Sequence, residues 1–90
     1  MNTLHQIRQR ISSRDYFLSS HAEEEMLDDD LERKDVEYAI LNGRIESKLT
    51  HDSRGIRYRI EGPARDGRSI QVLCRFRDGD RLIIITVYAL

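Results

Sequence analysis

Two pairs of arginines, Arg57 with Arg59 and Arg75 with Arg77, stand two residues apart. A spacing of two places each pair on one face of a β-strand. Arginine's planar fork matches phosphate or carboxylate oxygens in a way that lysine's point charge does not, and arginines outnumber lysines thirteen to two. Lys48, Gln71, Thr86 and Tyr88 lie on neighbouring strand-like segments and extend the same surface. Such a surface is suited to an anionic polymer with phosphates at regular intervals. His21, beside a helix start, is a candidate general base, with an ordinary surface histidine as the plain alternative. The sequence contains no glycine-rich nucleotide loop, HExxH, CxxC or GxSxG. Residues 62–67 are bounded by glycines but lack the Lys-Ser/Thr of a P-loop. His5, His21, His51 and Cys74 are isolated from one another, and consecutive carboxylates at Asp28, Asp29 and Asp30 diverge on a helix. Neither a metal site nor a cofactor is expected.

Charge is divided along the chain. Residues 1–38 carry ten acids and five bases, whereas residues 39–90 carry ten bases and six acids, within a net charge of −1. An anionic partner is therefore expected for the second half. Ninety residues make one domain, 1–90. The longest apolar run is 82–85, too short to span a membrane. Residues 1–10 lack the apolar stretch of a secretory signal, and a lone cysteine fits a reducing compartment, so a cytoplasmic location is expected. Cys74 points to the core by strand parity and is expected to be inert.

Elements that position these residues follow from periodicity. Leu4, Ile7 and Ile11 recur at helical spacing behind Thr3 as cap. Tyr16, Phe17 and Leu18 read as an apolar connection. Ser20 and Glu23 have capping-box spacing for a second helix, with Ala22, Met26 and Leu27 as its apolar stripe. A third helix over 33–42 buries Val36, Ala39 and Ile40 and stops at Gly43 in a left-handed conformation. From Arg44 the period becomes two, giving four strands. The expected fold class is α+β, with three N-terminal helices packed on one face of a four-stranded antiparallel sheet.

Turn lengths then assign the open face. A four-residue turn at 52–55 pairs His51 with Ile56, Thr50 with Arg57 and Lys48 with Arg59. A two-residue turn at Asp78 and Gly79 pairs Gln71 with Thr86 and Ser69 with Tyr88. The face opposite the helices is then expected to carry Lys48, Thr50, Arg57, Arg59, Gln71, Arg75, Arg77, Thr86 and Tyr88. A three-residue turn would bury Thr86 and Tyr88 instead.

Ser20, His21, Ala22, Glu25, Met26, Asp29 and Leu31 form the first part of a longer pattern. It continues through Asp35, Val36, Ala39, Ile40, Gly43, Ile45, Gly55, Arg57, Tyr58, Asp66, Gly67, Arg68 and Val72, and ends in the run Ile84, Ile85, Thr86, Val87, Tyr88. This resembles a family of small bacterial domains of unknown function, itself similar to RelE- and MqsR-like toxins of toxin–antitoxin systems. The resemblance implies a RelE-like fold, a metal-independent endoribonuclease activity and a cognate small antitoxin, sometimes one with a zinc-finger module. It also places His21, Arg57, Tyr58, Thr86 and Tyr88 in the family pattern. The departure is at Glu25 and Asp29, where many members carry arginine, and it implies that this chain either binds RNA with its sheet alone or does not cleave it.

The expected chemistry is 2′-hydroxyl attack on the adjacent phosphate. His21 or Tyr88 would move the proton, Arg57, Arg59 and Arg75 would carry phosphate charge, and Lys48, Gln71, Arg77 and Thr86 would hold RNA. The alternative is a non-catalytic, toxin-like module that docks a protein or nucleic acid. The sequence leaves the oligomeric state open.

Overall fold

The computed structural model describes residues 2–50, 53, 55–77 and 80–90. Its elements run α1 (Thr3–Ser12), β1 (Tyr16–Leu18), α2 (Ser20–Asp28), α3 (Arg33–Asn42), β2 (Arg44–Leu49), β3 (Arg57–Pro63), β4 (Ser69–Arg77) and β5 (Arg81–Ala89). The sheet has five strands in the order β1-β5-β4-β3-β2, with β1 parallel to β5 and the other pairs antiparallel. This corrects the expected four-stranded antiparallel arrangement, although the α+β class stands. Tyr16, Phe17 and Leu18 are too short a run to show a period of two. Their backbone nevertheless pairs with Leu82, Ile83 and Ile84 and completes part of the β5 edge.

Each helix starts and stops for a local reason. Asn2 rather than Thr3 caps α1, its side chain accepting from the N–H groups of Leu4 and His5. Ser19 rather than Ser20 caps α2 through Ala22 N–H at 3.0 Å. Glu32 and Asp35 form the capping box of α3. Arg14 (φ 57°) and Asp30 (φ 54°) end α1 and α2 in left-handed turns. In both turns the two following N–H groups reach back to the last helical turn: Arg14 to Ile11 and Asp15 to Arg10, Asp30 to Leu27 and Leu31 to Met26. Gly43 is extended (φ −105°) and not left-handed. Its requirement is space, because a Cβ there would lie 2.3 Å from the Glu61 carbonyl oxygen.

The helices cover one face of the sheet. Ile7 and Ile11 of α1, Ala22 and Met26 of α2, and Val36, Ala39 and Ile40 of α3 are buried against Ile60, Ile70, Val72, Cys74, Leu82, Ile84 and Val87. Leu27, expected in that stripe, is 79% exposed. The last turn of α3 lies on β3 at backbone contact, since a Cβ on Gly62 would come 2.2 Å from the Ala39 carbonyl oxygen. Arg8 ties α1 to the end of α3 by donating to the carbonyls of Ile40 (3.1 Å) and Gly43 (2.7 Å). No helix among the described residues is long and apolar enough to cross a membrane.

Helix α2 lies along β5 where β1 runs out. Ser19 N–H and Oγ–H donate to the carbonyls of Ile84 and Ile85, at 2.9 and 2.7 Å. One turn apart, the carboxylate of Glu25 on α2 accepts from Val87 N–H and that of Asp29, the C-cap of α2, from Ala89 N–H, each at 3.0 Å. Two carboxylates spaced by four residues therefore substitute for the acceptors of a missing strand.

Candidate nucleic-acid interface

Two register shifts decide what the open face carries. In β2 the register shifts between Ile45 and Ser47, so Ser47 pairs with Arg59, Lys48 with Tyr58 and Leu49 with Arg57. Lys48 thus shares the side of Tyr58, which packs against the core, and not that of Arg59. That placement corrects the expected pairing, because the extra residue at Glu46 reverses every side chain after it. Thr50 falls outside the strand. Between β4 and β5, Arg77 pairs with Arg81, leaving three residues in the connection where two were expected. The dipeptide Asp78 and Gly79 lies outside the described residues, as does His51 with its expected partner pairing. The extra residue turns Ile83 to the open side, opposite Arg75. A second shift near Ile85 turns the strand back, so Thr86 faces Leu73 and Tyr88 faces Gln71. The pairings Gln71–Thr86 and Ser69–Tyr88 are displaced by two residues, while Thr86 and Tyr88 stay on the side of Arg75.

The outcome is a set of rows across the sheet. One row runs Tyr88, Gln71, Glu61, Arg44; the next runs Thr86, Leu73, Arg59, Ser47. A third brings Phe17, Ile83 and Arg75 into line, with Leu49 and Arg57 paired farther across the same face. Arg77 and Arg81 lie opposite each other at the end of the β4–β5 hairpin. Six arginines therefore share this face: Arg44, Arg57, Arg59, Arg75, Arg77 and Arg81. Same-face residues along a strand are about 6.7 Å apart, on the scale of one extended nucleotide step. Phe17 is 52% exposed at the rim and offers a ring on which a base can stack.

Hydrogen bonds fix part of this surface. Tyr88 donates its hydroxyl proton to Gln71 Oε1, and Gln71 Nε2 donates to Glu61 Oε1 at 3.0 Å. Arg59 is positioned over β2, donating to Ser47 Oγ at 3.3 Å and lying 3.6 Å from the Glu46 carboxylate. His21 is elsewhere. It projects from α2, its side chain 64% exposed, with Nε2 3.4 Å from the same Glu25 oxygen that accepts from Val87 N–H. The structure thus brings His21 to the edge of the strand that bears Thr86 and Tyr88, and the arginines to its face.

Three groups with shifted titration serve structure. Burial pushes the Cys74 thiol up to about 12, which leaves it protonated and unreactive at neutral pH. Tyr16 is also raised to about 12, by burial and by its hydrogen bond to Glu37, and serves packing. Asp35 is held down at about 2, first by the Arg65 guanidinium and then by the backbone N–H groups of Glu32 and Arg65. It staples the β3–β4 connection to the start of α3. Among the described residues no three His, Cys, Asp or Glu side chains converge as metal ligands would.

Among the aromatic and charged members of the face, Phe17, Arg81 and Arg44 were not singled out by sequence reasoning. Phe17 was hidden in a segment too short to read as a strand. Arg81 required the longer turn. Arg44 could have been found, since it lies directly across from Glu61, which shares the parity of Arg57 and Arg59.

Comparison with known proteins finds no match among curated sequences and none among solved structures. A family model does match, over residues 18–89, which spans everything from the end of β1 to the end of β5. The chain belongs to the domain of unknown function family DUF4258.

Proposed function

We propose that this domain binds single-stranded RNA across the open face of its sheet, as a toxin-like module. The observation that carries the reading is the alignment of six arginines on β2 to β5 opposite the helical layer, with Phe17 at the rim. A face of this kind draws its affinity from phosphate contacts and its tolerance of sequence from stacking. The acidic helices lie on the other side, so one polyanion meets the arginines without crossing the acids of α2. In this reading the domain works in the cytoplasm, and a small antitoxin is its protein partner. Titrating isotopically labelled protein with a short single-stranded RNA tests the proposal. Amide shifts are expected to concentrate on β3, β4 and β5, and shifts confined to α2 and α3 would overturn it.

A second reading, cleavage of the bound RNA, is favoured by one observation: Tyr88 presents its hydroxyl on the arginine face. The 2′-oxygen would attack phosphorus, the 5′-oxygen would leave, and a 2′,3′-cyclic phosphate would remain. Arg57, Arg59 and Arg75 would carry the charge of the phosphorane, Arg77 and Thr86 would hold the chain, and Tyr88 or His21 would move the proton. Cyclic phosphate ends that form in the presence of chelator, and fail to form with Tyr88→Phe and His21→Ala together, are the expected products. RNA that stays intact would leave the binding module alone.

A further inference from the structure

At one end of the arginine face the side chains change character. Glu61 is the one carboxylate in its row, and it is held in place. Gln71 Nε2 donates to its Oε1 at 3.0 Å, and the Gln71 amide is itself fixed by the Tyr88 hydroxyl. Arg44 stands directly across the strand pair. Beside these two residues lies a shallow cavity of about 350 Å³, bordered also by Asn42, Pro63 and Ser69. Its floor is the backbone contact of Gly43 with Gly62, where α3 meets β3. That volume is large enough to admit a nucleobase from the open side.

We infer that this cavity is a base-reading subsite in which Glu61 selects guanine; the inference rests on the RNA-binding reading above. A carboxylate is an acceptor with two oxygens in one plane. Guanine is the base whose Watson–Crick edge presents two adjacent N–H donors, N1–H and the N2 amino group. Adenine and cytosine each present one amino group beside a ring nitrogen acceptor, which a carboxylate repels. Uracil presents one N–H between two carbonyls. Single-stranded RNA is read through these edges once the bases are splayed apart. The spacing agrees, since Arg59 precedes Glu61 by two residues on the same face. A phosphate at Arg59 leaves its nucleotide about 6.7 Å from the carboxylate. Arg44, with a planar guanidinium, is the residue placed to stack on the seated base.

The test uses fluorescence anisotropy with pentameric oligouridines carrying guanosine, inosine, adenosine or cytidine at the central position. Inosine lacks only the N2 amino group, so it probes the second hydrogen bond without altering the protein. The guanosine oligomer is expected to bind roughly tenfold tighter than the inosine one, the size of one hydrogen bond to a charged acceptor. Glu61→Gln, which replaces one acceptor oxygen with a donor, is expected to erase that difference, so that the guanosine and inosine oligomers bind the variant alike. Equal affinity for guanosine and inosine, tightest binding of cytidine, or a guanosine preference that survives in Glu61→Gln would each overturn the inference while leaving RNA binding intact. Failure of every oligomer to bind, all-uridine included, would overturn the RNA-binding reading itself.

Discussion

The Glu25 carboxylate accepts a hydrogen bond from the backbone N–H of Val87 at 3.0 Å, and through it a helix occupies the position of a sheet's next strand. Asp29 repeats the contact one turn later with Ala89 N–H. Removing either acceptor leaves a partly buried donor without its partner, at a cost of about 1–3 kcal/mol. Glu25→Ala and Asp29→Ala are each expected to lower the urea midpoint. The two together are expected to expose β5 amides from 87 to 89 to hydrogen exchange. Exchange that is unchanged in the double variant would show that the carboxylates do not protect this edge.

Asp35 gives the stability a pH dependence of known sign. Its carboxyl is near 2 in the folded chain against an ordinary 3.8, because the Arg65 guanidinium and two backbone N–H groups favour the charged form. The stabilisation is therefore fully present above about pH 4 and is lost as pH falls from there towards 2. It amounts to about 2 kcal/mol at neutral pH. Asp35→Asn is expected to lower stability at pH 7 and to flatten the curve between pH 4 and 2. Parallel stability curves for parent and variant across that range would contradict the assignment.

Gly62 is expected to tolerate no side chain. An added methyl group would meet the Ala39 carbonyl oxygen at 2.2 Å and the Gly43 Cα at 2.9 Å, both of them backbone. Gly62→Ala should cost at least the ~1–3 kcal/mol of an overpacked core and push α3 away from β3. Thermal melts would read the first effect. An unaltered melting temperature would mean that α3 does not rest on β3 as closely as described.

The three helices and the four later strands were legible in the sequence because each is written in local periodicity: Ile7 with Ile11, Val36 with Ala39 and Ile40, Ile70 with Val72 and Cys74. What was not legible depends on partners distant in the chain. β1 is three residues long and exists as a strand because β5 offers it an edge. The shifts near Glu46 and Ile85 are properties of two strands together, and no residue type announces them. Lys48 was lost from the face for that reason. Thr86 and Tyr88 stayed on it because an extra turn residue and an extra strand residue cancelled. The acids Glu25 and Asp29 stood out in the sequence only as departures from a family pattern, and their role emerged only once β5 was found to lack a neighbour beyond Ile84.

Binding of RNA by the open face is tested most directly by the salt dependence of affinity for Arg57→Ala/Arg75→Ala beside the parent chain. Both residues are half-buried on the side of the sheet away from the helical layer, outside the hydrophobic core, and the double variant is expected to fold as the parent does. Each phosphate contact removed should reduce the slope of log affinity against log salt by about 0.7 for a single strand. The predicted result is weaker binding with a slope shallower by roughly 1 to 1.5. An affinity and slope identical to those of the parent would contradict it and move any RNA off the arginine face.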